Sequence, residues 1–301
     1  VAKDKAVTVA HRLEAWAVAA GLALLRALPP AAASNFAAAL ARRVGPFMGA
    51  SKVAERNLAA SLPELGSAAR AAIIADVWEN LARTVAEMPH LGRLPENSPA
   101  GPGYNVTGWE HIAPVVARGE RLLILTGHLG NWELIPVATM RRGLNFGAFY
   151  RAADNAVVDA QIQAMRERNA PGARMFAKGA AGARGAYAHL SRGGALTLLN
   201  DQKLDNGIAA PFFGRDAMTA PALATFALKF RCPIFPVRVI RHGPARLELR
   251  VEPALALPES GDKEADVHSL TTAANAVLER WIRENPGAWL WLHRRWPKPA
   301  A

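Results

Sequence analysis

His128 and Glu133 stand five positions apart in the stretch Thr126-Gly127-His128-Leu129-Gly130-Asn131-Trp132-Glu133. An imidazole titrates near neutrality, so it can take a proton from a hydroxyl group and pass it on. A carboxylate close by can hold the ring in one orientation and one tautomer. Gly127 and Gly130 bracket the histidine and let the backbone turn sharply and approach a ligand closely. If Asn131 or Trp132 opens a helix, Glu133 falls in its first turn, where the helix dipole stabilises a carboxylate. Unpaired backbone N–H groups at such a helix start can face an oxyanion. Two other readings fit the same residues: a capping carboxylate beside a core histidine, or a metal site. The metal site lacks a third ligand, so no metal is expected. No serine, cysteine or lysine stands in a nucleophile setting; the one stretch near Gly-x-Ser-x-Gly, His189-Leu190-Ser191-Arg192-Gly193, does not match it. Direct attack by an acceptor oxygen then needs only a base and an oxyanion donor. Holding donor and acceptor together supplies much of the rate.

The elements that must position these groups follow from the hydrophobic pattern. The run Leu122-Leu123-Ile124-Leu125 predicts a buried strand over 121–126, and a helix follows over 131–142. Further strands are predicted at 104–107, 145–150, 195–199, 234–240 and 246–251. They alternate with helices at 109–118, 157–168, 182–192 and 220–230. The helix at 269–285 carries Asn275, Glu279 and Arg283 on one face. Residues 1–98 read as helical throughout, with helices at 36–44, 52–61 and 67–88, the last capped by Ser67. A Pro- and Gly-rich linker or turn region covers 91–103. The expected fold is α/β: a central mixed sheet flanked by helices, with a helical N-terminal region (1–98) ahead of a catalytic region (99–301), the two packing as one unit. In such sheets ligands bind outside the C-terminal strand ends. His128 and Asp201 both fall just after predicted strands, near one sheet edge.

Composition narrows the partners. The chain has 301 residues, 51% of them hydrophobic, which is enough for a substantial core. Its formal charge of +11 attracts polyanions. No nucleic-acid motif is present, so anionic lipid or an acidic carrier protein is the better use of that charge. The single cysteine, Cys232, sits in an apolar stretch and reads as an inert core thiol. Residues 13–28 predict a hydrophobic helix, stopped by Pro29-Pro30. Its uncharged centre, 15–25, is shorter than the roughly 20 residues a spanning helix needs, so the expectation is a helix that packs on the domain or lies in a membrane interface, with a short tilted span as the lesser alternative. The tail, Trp289-Leu290-Trp291-Leu292-His293-Arg294-Arg295-Trp296, either meets that interface or caps the core. The histidines outside the motif, His11, His90, His111, His189, His242 and His268, read as surface or packing residues.

Gly-His-Leu-Gly-Asn-Trp-Glu at 127–133 resembles the signature of the lauroyl/myristoyl acyltransferases of lipid A biosynthesis, in the lysophospholipid acyltransferase superfamily marked by H-x4-D/E. Phe149-Tyr150-Arg151 with Asp154-Asn155 and Arg166 looks like the family's second block, and Leu198-Leu199-Asn200-Asp201-Gln202-Lys203 its third. Pro211-Phe212-Phe213-Gly214-Arg215 with Thr219-Ala220-Pro221 looks like the fourth, and the Trp-rich tail resembles the family's ending. Arg56-Asn57-Leu58 before Pro63-Glu64 also fits, so the resemblance runs in order over nearly the whole chain. It implies transfer of a fatty acyl group from acyl carrier protein or acyl-CoA to a glycolipid hydroxyl, at the cytoplasmic face of the inner membrane, without a cofactor. His128 would be the base and Glu133 its partner. Asn131, Arg151, Asp201, Gln202, Lys203 and Arg215 would contact substrate, with Lys203 and Arg215 placed for an acceptor phosphate or carboxylate. Other acceptors, such as phosphatidylinositol mannosides or ornithine lipids, and a non-catalytic lipid-binding protein on the same scaffold, are the alternatives.

Overall fold

In the computed structural model, which describes residues 7–98 and 100–296, the apolar run becomes a strand buried at every position, Leu122–Thr126. A continuous run of Leu and Ile is what a parallel strand covered on both faces requires. The strands are β1 (Gly103–Thr107), β2 (Leu122–Thr126), β3 (Phe146–Tyr150), β4 (Arg174–Ala177), β5 (Ala195–Leu199), β6 (Ile208–Phe212), β7 (Arg215–Thr219), β8 (Ile234–Gly243) and β9 (Arg246–Val251). Seven of them form one mixed sheet in the order β1-β9-β8-β2-β5-β3-β4. Neighbours run parallel except in the β8–β9 hairpin. β6 and β7 pair with each other in a separate antiparallel hairpin.

The helices are α1 (Val9–Ala27), α2 (Pro30–Val44), α3 (Ser51–Ser61), α4 (Ser67–Glu87), α5 (Ala113–Ala117), α6 (Leu134–Met140), α7 (Ala156–Asn169), α8 (Ala180–Ser191), α9 (Ala222–Phe230) and α10 (Lys263–Glu284). Strand side chains alternate between two layers, as the pleat dictates. Leu122, Ile124, Phe146 and Ala148 face a cluster completed by Leu134, Ile135, Val137 and Ala138 of α6. Leu123, Leu125, Leu196 and Leu198 face the other, built with α8, α9 and α10. Ala54, Leu58, Leu62, Ile74 and Val77 of α3 and α4 belong to this second cluster, so the helical region and the sheet share a core.

α1 buries only Ala15 and leaves Val9, Leu13, Trp16 and Leu24 exposed. Phe36, Leu40 and Val44 of α2 are exposed too, as is Phe47 in the turn that follows. Among the described residues, no helix is long and apolar enough to cross a membrane.

Several elements depart from the sequence reading. α2 begins at Pro30, where a missing N–H costs nothing at the first helical turn. α10 begins at Lys263, because the Asp262 carboxylate accepts from the backbone N–H of Glu264 at 2.9 Å and of Ala265 at 3.2 Å. Gly66, not Ser67, occupies the cap position of α4. Within the Pro- and Gly-rich stretch, Leu91 and Leu94 are buried, and Glu96 bridges to Tyr104. β4 and the β6–β7 hairpin have no counterpart in the prediction. β4 is four residues long at the sheet edge, and Pro211 and Gly214 mask the hairpin's alternation.

Candidate active site

The alignment of β2 with β5 creates the site. Thr126 lies opposite Leu199 at the C-terminal ends of the two strands. The ladder runs one step further, with the Asn200 N–H donating to Thr126 O at 3.0 Å. His128 and Asp201 therefore emerge at the same level of the sheet edge. The Asp201 carboxylate is 2% exposed and accepts three hydrogen bonds. Its Oδ1 is 2.9 Å from His128 Nδ1; its Oδ2 takes the His128 backbone N–H at 2.7 Å and Trp289 Nε1–H at 2.8 Å. Burial alone would raise its pKa, but the charge and hydrogen bonds of His128, with that of Trp289, hold it below the usual carboxylate range. An ionised Asp201 makes Nδ1 the donor, so that in the neutral ring it is Nε2 that carries the lone pair. Trp132 packs edge-on against the imidazole, with ring centres 5.0 Å apart.

The expectation that Glu133 partners His128 is corrected here. Its carboxylate receives Arg166 in a two-pronged ion pair, Nε–Oε2 at 3.0 Å and Nη2–Oε1 at 2.5 Å. The imidazole's hydrogen-bond partner is Asp201. The helix after the loop also starts later than predicted, at Leu134. The N–H groups of Leu134 and Ile135 are already bonded to Asn131 O and Trp132 O, so this helix start offers them to no oxyanion.

The loop itself is clamped from two sides. Gly130 has φ +57°, and a Cβ there would lie 2.1 Å from Val239 O, so only glycine passes. Gly130 O accepts from Asn80 Nδ2 and Thr84 Oγ1 of α4, and its N–H reaches Ala288 O in the tail. The tail continues with Leu290 N donating to His128 O. Trp289, Trp291 and Trp296 are buried, so the Trp-rich segment caps the core. Asn57 Nδ2 holds it there by donating to the carbonyls of Trp291 and His293.

Asn131, expected to contact substrate, is fully buried and donates to Glu87 Oε2 at 2.8 Å. The Glu87 carboxylate also accepts from Ser34 Oγ, Ala245 N and Arg241 Nη1, tying α2, α4, the loop and the β8–β9 turn together. Arg215 is likewise removed from the site: it donates to Ser61 Oγ at 2.9 Å and lies over the Trp296 ring.

A cavity of about 1200 Å³ opens beside His128. Arg151, Gln202 and Lys203, expected to contact substrate, line it. The Arg151 side chain is 76% exposed. Lys203 Nζ is 2.6 Å from Asp205. Glu133, Arg166, Lys178 and His293 line it as well. His293, read as part of the tail only, accepts from the Lys203 backbone N–H at 3.2 Å, and burial lowers its pKa. No spacing in the sequence marks it, because the tail reaches the site through tertiary packing, including Asn80 of α4 on Ala288 O. Below the rim, the cavity runs between the sheet and the helices α6 and α7. Ile135, Pro136, Phe146, Ala148, Ala170 and Met175 give that arm its apolar lining, while Gln163, Arg166 and Glu167 of α7 line the same cavity.

The model of one protein family, described as bacterial lipid A biosynthesis acyltransferase, matches residues 2–298. No curated protein matches the chain.

Proposed function

The chain belongs to the bacterial lipid A biosynthesis acyltransferase family and is an acyltransferase; within that class we propose that it moves a fatty acyl chain from a thioester on acyl carrier protein to a hydroxyl of a lipid A precursor or related glycolipid. The observation that carries this reading is the His128–Asp201 pair at the mouth of a cavity with an apolar arm. The acceptor O–H gives its proton to His128 Nε2 as its oxygen forms a bond to the thioester carbonyl carbon. The tetrahedral intermediate then collapses, the C–S bond breaks, and the departing sulfur takes the proton back from Nε2. Atoms and charge balance with no covalent enzyme intermediate. Asp201 stays ionised throughout and stabilises the transient imidazolium. General base catalysis of this kind contributes about 10² to 10⁴ in rate, and juxtaposition of the two substrates the rest.

The Glu133–Arg166 pair lines the same cavity as the imidazole. Arg151, Lys178 and Lys203 at the rim offer cations to phosphate, either of the carrier's prosthetic arm or of the acceptor. The exposed apolar residues of α1 and α2, with Arg12, Arg26 and Arg43 beside them, support attachment to the cytoplasmic face of the inner membrane. Purified protein supplied with acyl-carrier and CoA thioesters and a panel of glycolipid acceptors tests the reading by mass spectrometry. A lipid A precursor that gains one acyl mass, with the carrier thioester the faster donor, is expected. Transfer to no glycolipid from any thioester would overturn it.

A further inference from the structure

We infer that Phe146 is the floor of the apolar arm and sets the longest acyl chain the enzyme accepts, an inference that rests on the acyl-transfer reading of the cavity. The argument comes from the pleat. Phe146, Ala148 and Tyr150 of β3 point to the same side of the sheet, and all three line the cavity. Their register fixes three levels. Ala148 pairs with Met175 on one side and Thr197 on the other, so Tyr150 stands level with Leu199 at the rim. His128 emerges just beyond that rim. Ala148 marks the middle level, where its small side chain leaves the arm open.

At the deepest level the alternation returns to a large side chain. Phe146 is 2% exposed, and Ala173, one residue before the Gly147–Arg174 pair, lies across from it. α7 runs back down from the rim and brings its last turn, next to Ala170, to the same depth. Four residues of strand separate Tyr150 from Phe146, about 13 Å at 3.3 Å per residue. An extended chain advances about 1.25 Å per carbon, from sp³ bond lengths and angles. The arm therefore takes roughly ten to twelve carbons below the carbonyl. On the cavity's other side Lys178, Gln202, Lys203 and Asn206 interrupt the apolar Phe149, Leu198, Leu204, Ala220 and Ala222, so a hydrocarbon tail there would cover polar groups.

Calorimetric titration with saturated fatty acids of increasing length tests this without requiring turnover. For the wild type, affinity should rise about fourfold per added methylene and then stop rising near the arm's capacity. Phe146→Ala removes a ring about 5 Å deep, so its plateau should begin about four carbons later. Ala148→Leu fills the middle level and should bring the plateau forward by a similar amount. Should Phe146→Ala fail to fold, Phe146→Leu and Ala148→Leu decide the matter. A plateau unmoved by these variants, or affinity independent of chain length in the wild type, would overturn the assignment. A parallel transfer assay with thioesters of the same lengths separates the two claims. Plateaus that move as stated while no thioester is turned over would leave the floor standing and defeat the acyl-transfer reading.

Discussion

Replacing Asp201 by Asn should disable the base while leaving the site almost undisturbed in shape. Three donors converge on this carboxylate, two of them on Oδ2: the His128 backbone N–H and Trp289 Nε1–H. An asparagine has one acceptor oxygen, which satisfies most donors by taking the Oδ2 position. Its NH₂ group then faces His128 Nδ1, 2.9 Å away in the wild type. Nδ1 must become an acceptor, which puts the ring proton on Nε2, the atom that should receive the substrate's proton. The variant also loses an anion about 4 Å from the imidazolium charge, worth about 4 kcal/mol at an effective dielectric near 20. At about 1.4 kcal/mol per decade, kcat should fall by about 10³. Folding should suffer by only about 1–2 kcal/mol, since the polar contacts are partly kept. Steady-state transfer, thermal denaturation and ¹⁵N NMR of the labelled imidazole measure the three effects. Glu133→Gln is the control: it breaks the Arg166 pair and should leave the His128 tautomer unchanged. Asp201→Asn with more than a tenth of wild-type kcat, or with the wild-type tautomer intact, would refute the reasoning.

The remaining predictions concern stability and attachment. Glu87 is buried on four partners from three parts of the chain. Glu87→Ala leaves Arg241 with an unpaired buried charge, and should cost about 3–5 kcal/mol in denaturant titrations. Burial would raise the Glu248 pKa, but hydrogen bonds from Thr107, Arg250 and His242 bring it down to about 2. Its folded value thus lies below its unfolded one. The stability it adds is complete above the unfolded value and disappears as pH falls from about 5 towards 2. Glu248→Gln should flatten that acid limb by about 2 kcal/mol after discounting for solvent screening, read from melting temperature against pH. Trp16 and Phe47 are 72% and 89% exposed. Changing each to Ser should weaken co-sedimentation with anionic vesicles tenfold or more, without altering the melt; unchanged binding would argue against these residues as the contact.

The parts of this molecule visible in the sequence are those governed by local pattern. The apolar run of β2, the strand before Asp201 and the helix with Asn275, Glu279 and Arg283 on one face all stand where periodicity puts them. That face of α10 holds the β6–β7 turn, with Asn275 donating to Pro211 O and Glu279 accepting from Phe213 N. His128 was legible from its glycines and its position after a strand. Its partner was not. Proximity in sequence favours Glu133, whereas strand register brings in Asp201 from 73 positions away, a distance no period encodes. Arg166 captures Glu133 for the same reason: α7 lies over the loop only because β3 and β4 extend the sheet in that direction. Asn131 and Arg215 are polar residues in family-like blocks, yet their environments, Glu87 for one and Trp296 for the other, come from α4 and the tail. His293 and the capping tryptophans were ambiguous because the sequence does not show which way the final segment folds.

The most direct test of the account is a single-turnover measurement with a preformed acyl thioester and the glycolipid acceptor, comparing wild type with His128→Gln. The account predicts that the variant binds the thioester with unchanged affinity, remains folded, and transfers the chain at least 10² more slowly. Transfer by His128→Gln at the wild-type rate would contradict it.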